Sequence, residues 1–232
     1  EMNHAVVQIL GDFDASNEVR VVVMRGAGDK AFVSGADISE FDQHRSTPDG
    51  RANFEKAWTA ANQAFATLKK PLIAMIHGFC IGGGLATALQ ADLRLCADDS
   101  QFAIPAARLG LGYQFGGIKK LVHIVGPTLA AEIMLTARKF DSGEAQQMGL
   151  VNQVVPAADL LDEVTKLAAT IAANAPMTVQ TAKASVLETF KDPERQDHDR
   201  INALVEACFM SDDYIEGRTA FMEKRTPQFQ GK

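Results

Sequence analysis

Two glycine-bearing segments carry the chemistry available to this chain. Ala31-Phe32-Val33-Ser34-Gly35-Ala36-Asp37-Ile38 follows an apolar, β-branched run at 19–24, and His77-Gly78-Phe79-Cys80-Ile81-Gly82-Gly83-Gly84 follows another at 72–76. Each reads as a strand end that turns into a helix start. The first N–H groups of a helix have no intrahelical acceptor and sit at the positive end of its dipole. Successive glycines let the backbone approach a ligand, because no Cβ stands in the way. Two such turns side by side can each aim one N–H at a single oxygen, forming an oxyanion hole suited to a carbonyl that becomes an enolate. Each donor in such a site is worth roughly 2.7–4 kcal/mol of transition-state stabilisation. A glycine triplet also serves tight packing of a strand on a helix, and that reading stays open. A phosphate loop does not fit, since no Gly-Lys-Ser/Thr follows and the GxGxxG pattern is absent.

The flanking pattern says what positions these turns. Residues 3–15 read as an amphipathic helix, and 51–69 as a long helix stopped by Lys69-Lys70-Pro71. The continuous apolar runs at 19–24 and 72–76 are expected to be strands buried on both faces, and 25–37 a loop. Beyond the triplet come a helix from about 83 to 91 and short strands at 93–97 and 101–104. Helices follow at 117–125, 128–137 and 142–148, then a strand at 151–155. From Ala158 to about Lys224 the pattern is helix after helix, interrupted at Pro176 and Pro193. The order predicts an α/β core over 1–175 and a helical region over 176–232.

Composition narrows the partners. The 232 residues carry 23 Lys+Arg against 29 Asp+Glu, a formal charge of −6, which disfavours nucleic acid as the main partner. Apolar residues at 47% and charged residues at 22% match a folded globular chain. No uninterrupted apolar stretch approaches the ~18 residues of a membrane-spanning helix. Cys80, Cys96 and Cys208 are too few and too scattered for a disulfide framework, and no CxxC or HExxH metal pattern occurs. With no leader pattern at the start, the expectation is a cytoplasmic protein that holds no metal.

The segment Ile73-Ala74-Met75-Ile76-His77-Gly78, Gly82-Gly83-Gly84, Leu89, Ala91-Asp92-Leu93 resembles the signature of the enoyl-CoA hydratase/isomerase (crotonase) family. "KAFVSGADI" at 30–38, "FDSGEAQQMGLVNQVV" at 140–155 and "AFMEKRTPQF" at 220–229 resemble further family elements, in the family's order along the chain. The resemblance implies an α/β spiral of ββα units, a C-terminal helical trimerisation region and acyl-CoA substrates. It implies no cofactor beyond coenzyme A as part of the substrate, and assembly as a homotrimer or a dimer of trimers. Carried over by position, the oxyanion donors are the backbone N–H groups of Ala36 and Gly83, with Gly82 beside them. The Ala36-Asp37-Ile38 backbone lines the pantetheine arm. Lys30 and Lys224 meet the phosphate or adenine end of CoA, and Phe221 reaches the CoA of a neighbouring subunit. The family's segment ahead of the first helix is expected to be missing.

The resemblance breaks at the acid–base positions. Adding water to an enoyl thioester takes one carboxylate as base and one carboxylic acid as proton donor. The family's hydratases carry glutamates where this chain has Ala86 and Ala106, and some members use an aspartate where it has Gln114. None of the three side chains present here can transfer a proton in that way, so hydration is expected to be slow or absent. Tyr113 remains nearby, and decarboxylases of the family resemble this chain in having a tyrosine there and no hydratase glutamates, although they carry a histidine at the position of Ala36. Loss of CO₂ from a malonyl-type thioester needs enolate stabilisation rather than a base. The alternatives are thus such a decarboxylase, or a non-catalytic CoA-binding or RNA-associated member of the family. His77, Asp37 and Asp92 read as structural groups, and His123 and Glu132 as surface groups. Arg108 either faces solvent or meets a substrate carboxylate.

Overall fold

The computed structural model describes residues 2–35 and 48–232. The helices are α1 (Met2–Ala15), α2 (Pro48–Thr67), α3 (Gly83–Ala88), α4 (Phe115–Thr136), α5 (Ser142–Gln147), α6 (Leu160–Ala172), α7 (Pro176–Glu188), α8 (His198–Phe209) and α9 (Asp212–Glu223). The strands are β1 (Val22–Arg25), β2 (Ala31–Val33), β3 (Leu72–Ile76), β4 (Phe79–Ile81), β5 (Leu93–Ala97), β6 (Gln101–Ala103), β7 (Phe140–Asp141) and β8 (Gln153–Val155). They form two sheets of order β1-β3-β5-β8 and β2-β4-β6-β7. Each of the first three consecutive strand pairs therefore gives one strand to each sheet, and the chain winds as a spiral. All pairings are parallel except β6–β7.

Alternation along β3 explains the core. Leu72, Ala74 and Ile76 point into the larger apolar cluster with Leu85, Phe102, Leu121, Ile133 and Phe140, while Ile73 and Met75 point to the opposite face. There they meet Leu95, Val155 and the α6 residues Leu160 and Val164. With both faces covered, the whole of β3 is buried, and its sequence is correspondingly a continuous apolar run.

The run at 19–24 does not share that fate. Val22 is buried but Val23 is 40% exposed, and the strand occupies only 22–25. In register Val23 lies beside Ile73, on the face that α6 covers over β3 and β5. The α6 cover stops short of β1, which pairs on one side with β3 alone among the described residues. The expected loop at 25–37 contains β2, whose three residues bury only Phe32, too little pattern to announce a strand. The two helices expected at 117–125 and 128–137 form the single run α4, broken where Gly126 leaves helical geometry (φ 79°, ψ 164°) ahead of Pro127. The antiparallel strand β7 and the 3₁₀ turn Pro105–Leu109 have no counterpart in the sequence reading. Cys80 and Cys96 are buried free thiols. No described helix is long and apolar enough to cross a membrane.

One ionic cluster fixes the end of α7. The buried Glu188 carboxylate accepts from Lys191 Nζ at 2.7 Å, Arg200 Nη2 at 2.6 Å and the Asp197 N–H at 2.8 Å. The Lys191 hydrogen bond first, then those from Asp197 N–H and Arg200, hold its pKa down at about 2 against an ordinary 4.5. A carboxyl depressed on folding adds stability above its unfolded pKa and loses it as the pH falls through its folded one. Thermal unfolding scans are therefore expected to show a wild-type loss between about pH 4.5 and pH 2 that is shallower in Glu188→Gln.

Candidate active site

Strands β2, β4 and β6 run parallel, so the segments that follow them leave the same edge of their sheet. In open parallel sheets this carboxyl edge is where ligands bind. The segment after β2 holds Ser34 and Gly35, that after β4 holds Gly82-Gly83-Gly84, and that after β6 holds Ile104, Pro105 and Ala106.

The three glycines of the triplet do different work. Gly82 sits at φ 58°, ψ −115°, a conformation that essentially only glycine adopts. Its N–H donates to Ala103 O at 2.8 Å, and a Cβ there would lie 3.8 Å from Pro105 Cδ, which ties the β4 turn to the segment after β6. Gly84 is buried against β2, where any Cβ would overlap the Val33 carbonyl. Close packing of strand on helix, one of the two open readings of the triplet, thus holds for Gly84. Gly83 differs from both, because a Cβ there would meet nothing within 4 Å. As the first residue of α3 it has no intrahelical acceptor, and no other described residue accepts its N–H. Its N–H is thus a donor without an acceptor among the described residues, and the space on its Cβ side is open.

The two glycine turns are neighbours. Gly35 (φ 109°) places its Cβ direction 3.5 Å from Ile81 O, and Gly84 meets Val33. Ala36, Asp37 and Ile38 lie outside the described residues. Ala86, half-buried, stands one helical turn after Gly83, and its methyl tilts back toward the start of α3. Ala106 is 5% exposed and follows Pro105, the residue that approaches Gly82. Of the residues singled out in the sequence, Gly82, Gly83 and Ala86 thus share the turn into α3, and Ala106 follows the proline that approaches that turn.

Tyr113 lies on the link between the 3₁₀ turn and α4, half-buried, with Cε1 3.0 Å from the Cβ position of Gly117. Burial pushes its phenol up from the ordinary value, so the group is a neutral donor near pH 7. Gln114 is the exposed N-cap residue of α4 and makes no side-chain cap. Lys30 precedes β2 and is exposed, at the end of that strand opposite Gly35. Phe221, 82% exposed, and Lys224, in the left-handed region at φ 55°, stand at the end of α9. Arg108 is exposed. His77 Nε2 lies 2.8 Å from Gly28 O, and Asp92 Oδ2 accepts from Leu72 N–H at 2.7 Å and pairs with Lys183 at 2.8 Å, so both are tied into the scaffold. Glu132 pairs with Arg138 at 2.7 Å, and His123 stacks on Phe190.

A two-sheet spiral with glycine turns at its parallel strand ends defines a class of α/β protein rather than a reaction. The family model described as Enoyl-CoA hydratase/isomerase matches residues 1–232, and the chain belongs to that family. It is similar to the Short-chain-enoyl-CoA hydratase of Clostridium acetobutylicum, 34% identical over 221 residues that cover 94% of this chain and 82% of that protein. It is also similar to the Carnitinyl-CoA dehydratase of Shigella flexneri, 34% identical over 97% of this chain and 87% of that one. The crystal structure of an enoyl-CoA hydratase/carnithine racemase from Magnetospirillum magneticum matches with a TM-score of 0.92 at 32% identity, covering 100% of this chain and 86% of that one. The fold is the crotonase-type spiral, and the chain is an enzyme of that family.

Proposed function

We propose that the protein processes an acyl-CoA thioester by stabilising its enolate in an oxyanion hole made by the N–H groups of Gly83 and Ala36. The observation that carries this reading is the Gly83 N–H, at the first position of α3 and without an acceptor among the described residues, on a helix packed against the end of β2. Lys30 lies roughly 15 Å along the extended β2 segment from Gly35, a separation that suits a long ligand such as CoA with its charged end toward Lys30. Asp37 and Ile38 would then flank the pantetheine arm. Lys224, exposed at the end of α9, would meet the phosphate or adenine end of CoA, and the exposed Phe221 would reach the CoA of a neighbouring subunit. The similar proteins named above are a hydratase and a dehydratase of CoA thioesters, which supports the substrate class.

Hydration itself is the weak point of the site, because Ala86 and Ala106 present methyl groups where a proton must move. A general acid–base pair contributes about 10²–10⁴-fold. A malonyl-type decarboxylation is the second reading, favoured by the half-buried neutral phenol of Tyr113. A panel of enoyl-, 3-hydroxyacyl- and malonyl-type thioesters, with products read by mass spectrometry, tests both. Crotonyl-CoA should be hydrated at least about 10²-fold more slowly than by a glutamate-bearing relative. If malonyl-type thioesters lose CO₂, Tyr113→Phe should depress that rate. Hydration at a relative's rate would refute the reading of Ala86 and Ala106, and no turnover of any member would favour a CoA binder without catalysis.

A further inference from the structure

A cavity stands apart from the glycine turns. It is an open cleft of about 460 Å³ between α2, α4 and α7, and Gly82, Gly83, Ala86 and Ala106 do not line it. Such a volume is in the range of small-molecule sites. One wall is apolar, made by Phe65, Leu187 and Phe190. The remainder includes His123 and Gln90 and carries an excess of cations, with Lys119, Lys120, Lys183, Lys191 and Arg195 against the carboxylates of Asp92 and Asp192. That excess runs against the acidic balance of the chain as a whole.

Most of these charges are already matched. Lys119 pairs with Asp192 at 3.0 Å, Lys183 with Asp92 at 2.8 Å and Lys191 with Glu188 at 2.7 Å. Lys120 is different, because its ammonium donates to the neutral Gln90 Oε1 at 2.8 Å, and no carboxylate among the described residues pairs with it. Gln90 is in turn held by its amide on Asn62 Oδ1 at 3.1 Å. The charged neighbours of Lys120 are Arg94, Lys183 and Asp92, and Asp92 is shared with Lys183 and the Leu72 N–H. Arg94 is committed to the carbonyls of Leu150 and Ala91, both at 2.7 Å. Burial first, then Arg94 and Lys183, hold Lys120 down at about 8, with Asp92 acting in the opposite sense. A half-buried ammonium with a single neutral acceptor lacks a counterion, and a charge-assisted hydrogen bond to an oxyanion would supply it.

We propose that this cavity binds a small amphipathic anion, its carboxylate on Lys120 and its apolar body against Phe65, Leu187 and Phe190. The cationic rim of Lys191 and Arg195, both exposed, draws the head group in. The inference does not rest on the thioester reading, since it uses none of the same residues.

Isothermal titration of the full chain with octanoate at pH 7 tests it, with octan-1-ol as the uncharged comparator. Octanoate is expected to bind, and octanol at least about tenfold more weakly. Lys120→Met keeps the length of the side chain and removes its charge, and it should weaken octanoate about tenfold or more while leaving octanol unchanged. Circular dichroism confirms the fold of that variant. If it does not fold, the surface substitution Arg195→Ala decides, and a loss of octanoate affinity of a few-fold is expected. No binding by the wild type, equal affinity for octanol, or octanoate affinity indifferent to the folded charge variants would overturn the proposal. So would affinity lost in Gly83→Trp but kept in Lys120→Met, which would put octanoate at the glycine turns.

Discussion

Gly83→Pro is expected to lower turnover by about 10²–10³-fold while the protein stays folded, because it removes the backbone donor that we propose for the oxyanion hole and little else. The first helical position tolerates proline, since its N–H is unbonded within the helix and its φ is already near the ring's value. Gly82, the residue ahead of it, has no Cβ to clash with the ring. Two comparisons separate the donor from the packing. Gly83→Ala keeps the N–H and points its methyl into open space, so the fold should be unaffected. Gly84→Ala drives a methyl into the Val33 carbonyl and should destabilise by about 3 kcal/mol, seen as lost folded protein rather than as slow chemistry. The measurement is kcat on the best thioester of the panel, alongside thermal unfolding. A proline variant with undiminished kcat would remove the Gly83 N–H from the mechanism.

These outcomes differ because the three glycines, identical as letters, occupy three environments. The sequence announced the triplet and its place between a strand and a helix. It did not say which glycine bends the chain, which packs and which stays open, since that depends on β2 and on Pro105, which are distant along the chain. Much of the rest was legible where one element's own pattern decides. The continuous apolar run of β3 matches its observed bounds of 72–76, because both its faces are covered. The similar run at 19–24, of which β1 takes up only the end, misled for the complementary reason, since burial at Val23 depends on how far α6 extends over the sheet. Short strands such as β2 and β7 hold too few residues for a period to show. The cavity around Lys120 was invisible, because Lys120, Asp92, Arg94 and Lys183 share no spacing and meet only through the packing of α4 and α7 on the core.

Introducing the absent carboxylates, Ala86→Glu with Ala106→Glu, is expected to raise crotonyl-CoA hydration at least about 10²-fold over the parent chain. Both positions are tied to the glycine triplet: Ala86 stands one turn into α3 after Gly83, and Ala106 follows the proline that approaches Gly82. The two positions also differ in a useful direction. Ala86 is half-buried, so a glutamate there keeps enough hydration to remain ionised and act as base. Ala106 is 5% exposed, and burial raises the pKa of a carboxyl, which favours the protonated form needed to deliver a proton to the substrate carbon. Each single substitution should gain far less, because a base without an acid leaves the second proton transfer uncatalysed. Ala106→Glu also presses a larger, polar side chain into the packed cluster with Leu85 and Phe102 and should cost about 1–3 kcal/mol, so the melting temperature of the double variant is expected to fall. Initial rates at matched folded concentration, read from loss of the enoyl absorbance, separate the two effects. A folded double variant that hydrates no faster than its parent would place both side chains away from the thioester, and the pocket would then have to be shaped for a reaction that moves no proton from these two positions.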